Sequence, residues 1–168
     1  MKRFCKEILP YILIVVIVLL IKEFLIAPVK VNGLSMYTTL HDGDVMLLNK
    51  IVYKFNPIKR GDIVVASWKD EYIIKRVIGL PGDTVEFKNN SLYINGKKIK
   101  ENYTRGKTED FNITLLGSKK VPKGYYVILG DNREDSVDSR IFGFMKKENI
   151  LGRCKVTIFP FNRIGTKK

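Results

Sequence analysis

The chain has 168 residues, 45% of them hydrophobic, and a formal net charge of +13 from 30 Lys+Arg against 17 Asp+Glu. That length leaves room for an anchor and one domain with a small insertion. The positive surplus favours anionic partners, but it is scattered through strand-like sequence and no nucleic-acid motif accompanies it, so acidic lipid or wall polymer is the better partner class and nucleic acid is set aside. Two cysteines, Cys5 and Cys154, exclude a disulfide framework and a cysteine-based metal site.

Residues 8–21 are apolar throughout, Lys22-Glu23 interrupts, and residues 24–29 resume the apolar run. Helix over 8–29 would be about 33 Å long, enough for a hydrocarbon core of about 30 Å. Lys2, Arg3 and Lys6 precede it, so the positive-inside rule places residues 1–7 in the cytoplasm and residues 30–168 outside the cell membrane. A cleaved signal peptide and a buried core helix are the competing readings. The first lacks a small-residue cleavage site beyond Ala27, the second an amphipathic stripe.

From residue 30 onward the pattern turns to short β segments with Gly, Pro, Asn and Asp between them. Strands are predicted over 45–53, 62–68, 72–78, 85–88, 92–94, 125–129 and 155–159. Leu80-Pro81-Gly82-Asp83 suits a type II turn and Asn95-Gly96 a hairpin. Residues 100–120 read as an exposed excursion and 146–150 as a short helix. The predicted fold class is mainly β: a transmembrane helix, then a barrel-like or twisted antiparallel sheet with a small inserted β subdomain at about 84–122.

His41 is the sole histidine and sits in a Leu40-His41-Asp42-Gly43-Asp44 turn, a poor setting for a Ser-His-Asp triad; His-Glu-x-x-His is absent. A different pair draws the eye. Ser35 lies in Gly33-Leu34-Ser35-Met36, a few residues beyond the anchor, and Lys75 lies in the apolar run Tyr72-Ile73-Ile74-Lys75-Arg76-Val77-Ile78. A serine hydroxyl needs a base to become a nucleophile, and a lysine amine serves only if burial keeps it neutral. On a strand Lys75 shares a face with Ile73 and Val77. Taken alone, that segment fits an edge-strand lysine reaching solvent better. The polar loop over 130–140 shifts the balance: it places Asp131, Asn132, Arg133, Glu134, Asp135, Ser136, Asp138, Ser139 and Arg140 directly after an apolar strand, a composition suited to presenting hydrogen-bonding groups to a site.

Together these residues resemble the bacterial type I signal peptidases, membrane-bound Ser/Lys-dyad endopeptidases of the leader peptidase family. Four blocks in order carry the resemblance: Ser35-Met36-Tyr37-Thr38-Thr39-Leu40, Arg60-Gly61-Asp62-Ile63-Val64-Val65, the run from Tyr72 to Asp83, and Gly130-Asp131-Asn132-Arg133 continuing through Ser136, Asp138, Ser139, Arg140 and Gly143. The resemblance implies Ser35 as nucleophile and Lys75 as general base in an acyl-enzyme mechanism, with Ser136 hydrogen-bonding the lysine, Asp138 and Arg140 bracing the loop, and Arg76 pairing with Asp131. It implies the Ser35 N–H as one oxyanion donor. The second is expected two residues earlier, where some members carry serine; here Gly33 leaves it to backbone, to water or to none. Thr38 stands where proline is common and is expected not to touch the chemistry.

The implied substrate is a secreted preprotein, bound as an extended strand between residues 30–32 and 72–74. Val29, Val31, Met36, Leu40 and Ile74 match positions that form shallow apolar pockets, so cleavage after small residues of Ala-x-Ala type is expected; plain core packing is the bland reading of the same five. Membrane lipid and nearby protein-export machinery are the other expected partners, and no metal or cofactor is implied. The rival from another class is a non-catalytic, membrane-tethered basic β module that binds anionic lipid or wall polymer.

Overall fold

A computed structural model describes the backbone of residues 2–167 and the side chains of residues 8–19 and 25–167. The side chains of Lys2, Arg3, Cys5, Lys6, Lys22 and Glu23, which the sequence reading drew on, lie outside the described residues. The chain opens with helix α1 (Lys2–Phe24) and continues as β1 (Ile26–Lys30), β2 (Val45–Asn49), the one-turn helix α2 (Val52–Phe55), β3 (Ile63–Trp68) and β4 (Glu71–Gly79). There follow β5 (Val85–Lys88), β6 (Ser91–Ile94), β7 (Lys97–Ile99) and β8 (Phe111–Asn112). The last elements are β9 (Tyr125–Leu129), the short helix α3 (Ser139–Phe142), β10 (Met145–Lys146), β11 (Ile150–Phe159) and β12 (Gly165–Thr166).

The architecture is mainly β, with two antiparallel sheets. An eight-stranded sheet runs β1-β2-β11-β3-β4-β9-β10, with β12 on β11, and a four-stranded sheet runs β7-β6-β5-β8. β3 shows why the larger sheet is covered on both faces. Ile63 and Val65 point into one apolar cluster with Met36, Leu40 and Met46, and Val64 and Ala66 into another with Val77, Tyr126 and Ile128. Such a strand reads as an unbroken apolar run rather than an alternating one. The smaller sheet has no core of its own: Val85, Phe87, Leu92, Ile94 and Phe111 share a cluster with Ile78, Val127 and Leu129 of the larger sheet.

Three expectations are corrected. Helix does not continue to residue 29. It ends at Phe24, and Ile26–Lys30 pairs with β2 from Ile26↔Asn49 to Lys30↔Val45. Pro28, which lacks an N–H, fits an edge strand better than a helix interior. The strand predicted over 45–53 stops at Asn49, whose side chain accepts from the amides of Ile51 and Val52 and starts α2. Residues 146–150 form strand and a 3-10 turn, Lys147–Asn149, rather than an α-helix. Among the described residues no helix is long and apolar enough to cross a membrane. The described side chains of α1, from Ile8 to Leu19, are exposed.

Candidate active site

Ser35 lies in the turn-rich link between β1 and β2, and several backbone bonds fix that link. Val31 N–H donates to Asp44 O, Gly43 N–H to Val31 O, and Leu40 N–H to Met36 O. Met36 and Leu40, buried in the core on either side of the turn, fasten it to the sheet. Lys75 approaches from β4. Arg76 pairs with both β3 and β9, and Val77 and Gly79 pair with β9, but Glu71–Lys75 pairs with β3 alone, so among the described residues this half of the strand has a free edge. Lys75 is only 4% exposed, and its Nζ lies 2.7 Å from Ser35 Oγ. Burial lowers the lysine pKa to about 8, while the Asp138 carboxylate pulls the other way. At neutral pH about one lysine in ten is then uncharged, able to accept the serine proton.

The polar loop over 130–140 closes the site from behind. Asp138 is fully buried, and its carboxylate accepts from Gly130 N–H, from the Ser136 hydroxyl at 2.8 Å, and from the amide and guanidinium of Arg140. The expected hydrogen bond from Ser136 to Lys75 is not what the structure has: the Ser136 hydroxyl is committed to Asp138 Oδ2. The carboxylate two residues on, inside the same tight turn, is the stronger acceptor. Asp131 receives Arg76 in a bidentate pair, at 2.8 Å from Nε and 2.6 Å from Nη2, with both side chains buried. Thr39 joins them, its hydroxyl donating to Asp131 Oδ2.

The loop also grips the Ser35 backbone directly. Asn132 N–H donates to Ser35 O at 3.0 Å and Asn132 Nδ2 to Leu34 O. Gly130 passes so close that an added Cβ would sit 2.2 Å from Ser136 Oγ and 2.6 Å from Ser35 O. Glycine is therefore a steric requirement at this position.

Gly33 takes up a positive φ of 86°, and its N–H donates to Asp42 Oδ1 at 2.8 Å. That amide is spoken for, so Gly33 does not offer the second oxyanion donor. The Ser35 N–H, in contrast, has no acceptor among the described residues.

A groove of about 640 Å³ runs past Ser35 and Lys75, with Val29, Val31 and Met36 on one wall and Tyr72, Ile73 and Ile74 on the other. Leu40, expected in a substrate pocket, does not line it: it is completely buried beside Met36 and Met46, because its turn points it inward beneath the groove floor.

Residues 101–108, read from the sequence only as part of an exposed excursion over 100–120, strap the site to the smaller sheet. Tyr103 O accepts from the Thr38 hydroxyl at 2.7 Å, and the Tyr103 ring lies 3.9 Å under the Arg76 guanidinium. Arg105 N–H donates to Asp131 O and its carbonyl accepts from Arg133 N–H. The buried Arg133 binds Glu101, Thr108 and Gly130 O. Thr38 thus makes a bond that the proline common at its position could not. Arg133 alone was foreshadowed, standing in a recognised block without a role; residues 101–108 carry no pattern that distinguishes them from an ordinary loop.

A serine and a buried lysine in contact beside an open groove suit acyl transfer by a Ser/Lys pair, and the sequence relationships agree. Residues 2–159 match the family described as signal peptidase, peptidase S26. The chain is 44% identical to a signal peptidase I of Bacillus amyloliquefaciens over 94% of its own length and 89% of that protein's. It is 39% identical to signal peptidase IB of Staphylococcus aureus over 94% and 92% of the two chains. The crystal structure of a signal peptidase I from Enterococcus faecalis superposes with a TM-score of 0.53 at 37% identity, covering 58% of this chain and 97% of that one. A match of this extent, on a chain whose serine and lysine meet as described, has one consequence: the chain belongs to the signal peptidase family, peptidase S26.

Proposed function

We propose that the chain removes signal peptides from exported preproteins with Ser35 as the nucleophile and Lys75 as the general base. The observation that carries this reading is the 2.7 Å contact between the buried Lys75 amine and the Ser35 hydroxyl. Neutral Lys75 takes the hydroxyl proton as Ser35 Oγ attacks the scissile carbonyl. The protonated amine then gives that proton to the leaving amino group, and the C–N bond breaks. The mature protein departs, leaving an ester between Ser35 and the signal peptide. Lys75, neutral again, deprotonates a water that hydrolyses the ester and restores the serine. The free Ser35 N–H is positioned as one donor to the oxyanion. Asp138, Arg140 and Ser136 hold the wall behind the lysine, and the Arg76–Asp131 pair fixes the loop that grips Ser35.

The substrate lies in the groove as an extended segment and completes the free edge of Glu71–Lys75 by backbone hydrogen bonds. Val29, Val31, Met36 and Ile74 give that groove a shallow apolar wall, which favours small side chains before the cleaved bond. Residues 8–24 serve as a single-pass anchor. Support comes from the unbroken apolar surface of Ile8–Leu19, which no other element covers. Apolar faces of that size require lipid or protein around them. Lys2, Arg3 and Lys6 put the N-terminus in the cytoplasm, the β domain outside, and the site beside the export machinery that delivers preproteins.

Ser35→Ala and Lys75→Ala should each lower the processing of a purified leader-bearing precursor by at least about a thousandfold. Both variants should keep the thermal melt of a folded protein. Processing retained by either variant, or N-terminal sequencing that places the cut away from the leader boundary, defeats the assignment.

A further inference from the structure

A second cleft, away from Ser35, opens beside the point where α1 gives way to the sheet. It measures about 600 Å³ and is lined by Lys50, which has a partner of its own, and by Lys54, Lys146 and Lys147, with Tyr53, Tyr125 and Ile150 among the side chains of its wall. Its position follows from the strand register. Ile26 pairs with Asn49, and the next amide, Lys50 N–H, donates to Leu25 O at 2.9 Å. The cleft therefore begins one residue from the end of α1. Phe55, next to Lys54 on α2, is 80% exposed. An aromatic ring and an ammonium group side by side at a helix exit suit the headgroup layer, where rings sit at the carbonyl level and amines reach phosphates. Glu148, the one acid in the cleft, pairs with Lys146 at 3.4 Å in an open surface contact, too weak to neutralise three ammonium groups.

We propose that this cleft is a binding site for the phosphate of anionic membrane lipids, formed by Lys54, Lys146 and Lys147 against an apolar wall that takes the glycerol and first acyl carbons. The proposal rests on the reading of α1 as a lipid anchor. Its consequence is orientational: a lipid headgroup held at the α2 and β10 corner fixes the tilt of the β domain over the bilayer, and with it the height of the groove.

The test uses the full chain in neutral phosphatidylcholine vesicles containing a small fraction of dansyl-labelled phosphatidylglycerol or, in parallel, dansyl-labelled phosphatidylcholine. Trp68 is the single tryptophan and packs on the same apolar cluster as Tyr53 and Ile150, so energy transfer from it reports which lipid gathers at the cleft. At one lysine interaction of about fivefold each near a membrane surface, the wild type should favour the anionic probe by at least about tenfold. The variant Lys54→Gln/Lys146→Gln/Lys147→Gln should lose that preference, and the matching triple Arg variant should keep it. A control, Lys97→Gln/Lys98→Gln on β7 of the smaller sheet with Lys119→Gln in the loop beyond β8, should also keep it. The three cleft lysines are exposed, so the Gln variant should melt as the wild type does. An unchanged preference in the Gln variant, or an equal loss in the control, overturns the site alone. Displacement of the lipid probe by inorganic phosphate at constant ionic strength overturns the lipid assignment in favour of a free-anion site. Release of the wild type from neutral vesicles by high salt overturns the anchor and this site with it.

Discussion

Lys75, as the proposed base, sets the expected pH behaviour. With its pKa lowered to about 8 by burial, kcat/KM should rise about tenfold per pH unit below that value and level off above it, since the free enzyme must present a neutral amine. Substrate in the groove excludes more water, so the kcat profile should break at lower pH than kcat/KM. The same shift acts on stability. Between about pH 8 and the ordinary lysine value of 10.5 the unfolded chain binds more protons than the folded one, so stability rises with pH across that window. Below it the full penalty stands, on the order of 3 kcal/mol. Lys75→Met keeps an apolar stem, removes that penalty and gives up a hydrogen bond worth about 1 kcal/mol. It should therefore unfold in urea about 2 kcal/mol later than the wild type at pH 7, with the gain shrinking toward pH 10. Equal stabilities at pH 7 would mean the lysine is hydrated. Gly130→Ala tests the other side of the site: its Cβ would collide with Ser136 Oγ and with the Ser35 carbonyl. It should abolish processing and lower the melting temperature by several degrees, because overpacking a buried site costs about 1–3 kcal/mol, whereas alanine at the half-buried Gly124, which has open space around it and a φ of +80°, should strain the chain locally and leave processing unchanged.

At the scale of elements, the strands that carry Lys75 and the polar loop were legible because their apolar runs are long and their punctuation is strong. The 72–78 prediction falls inside β4, and those over 85–88 and 125–129 coincide with β5 and β9. Ile26–Lys30 was not legible, because an apolar run continuous with a helix has no period that distinguishes strand from helix. The role of Ser136 was misjudged for a related reason. The family resemblance implies that its hydroxyl meets the lysine, but the acceptor it chooses depends on the turn geometry of Asp138. The strap over 101–108 was invisible because its bonds to the site run through backbone atoms and through Arg133, which any loop composition could supply. Its importance can be measured. Arg133 is buried with Glu101 as its charged partner, and Glu101→Ala would leave a buried guanidinium uncompensated, at a cost of about 3–5 kcal/mol. Arg133 also holds Gly130 O, so kcat should fall along with stability while KM changes little. Glu101→Gln, which keeps one acceptor for the guanidinium, should recover most of kcat. A variant destabilised to that extent with kcat unchanged would show that the strap supports the fold without shaping the site.

For the whole molecule, the boundary between α1 and the β domain lies earlier than hydropathy suggests. β1 is an edge strand of the eight-stranded sheet, and the chain that follows it carries Val31, only 2% exposed in the cluster beneath the groove. Burying a valine contributes about 2 kcal/mol, and the five-residue pairing with β2 adds to it, against a total stability of about 5–15 kcal/mol for a domain. α1 gives the sheet nothing comparable, because its described side chains face outward. Removing residues 1–24 should therefore leave a β domain with a cooperative melt close to that of the full chain. Removing residues 1–31 should take β1 and Val31 away and leave a protein that melts at least 10 °C lower or does not fold, since about 1 kcal/mol corresponds to roughly 2–8 °C at these sizes. The shorter truncation should cleave a soluble leader peptide at the rate of the full chain, yet process a membrane-inserted precursor far more slowly, because the proposed anchor would concentrate enzyme and bond in one bilayer. If both truncations melted together, β1 would be a dispensable tether, and the wall of the groove built on Val29 and Val31 would have to be sought elsewhere.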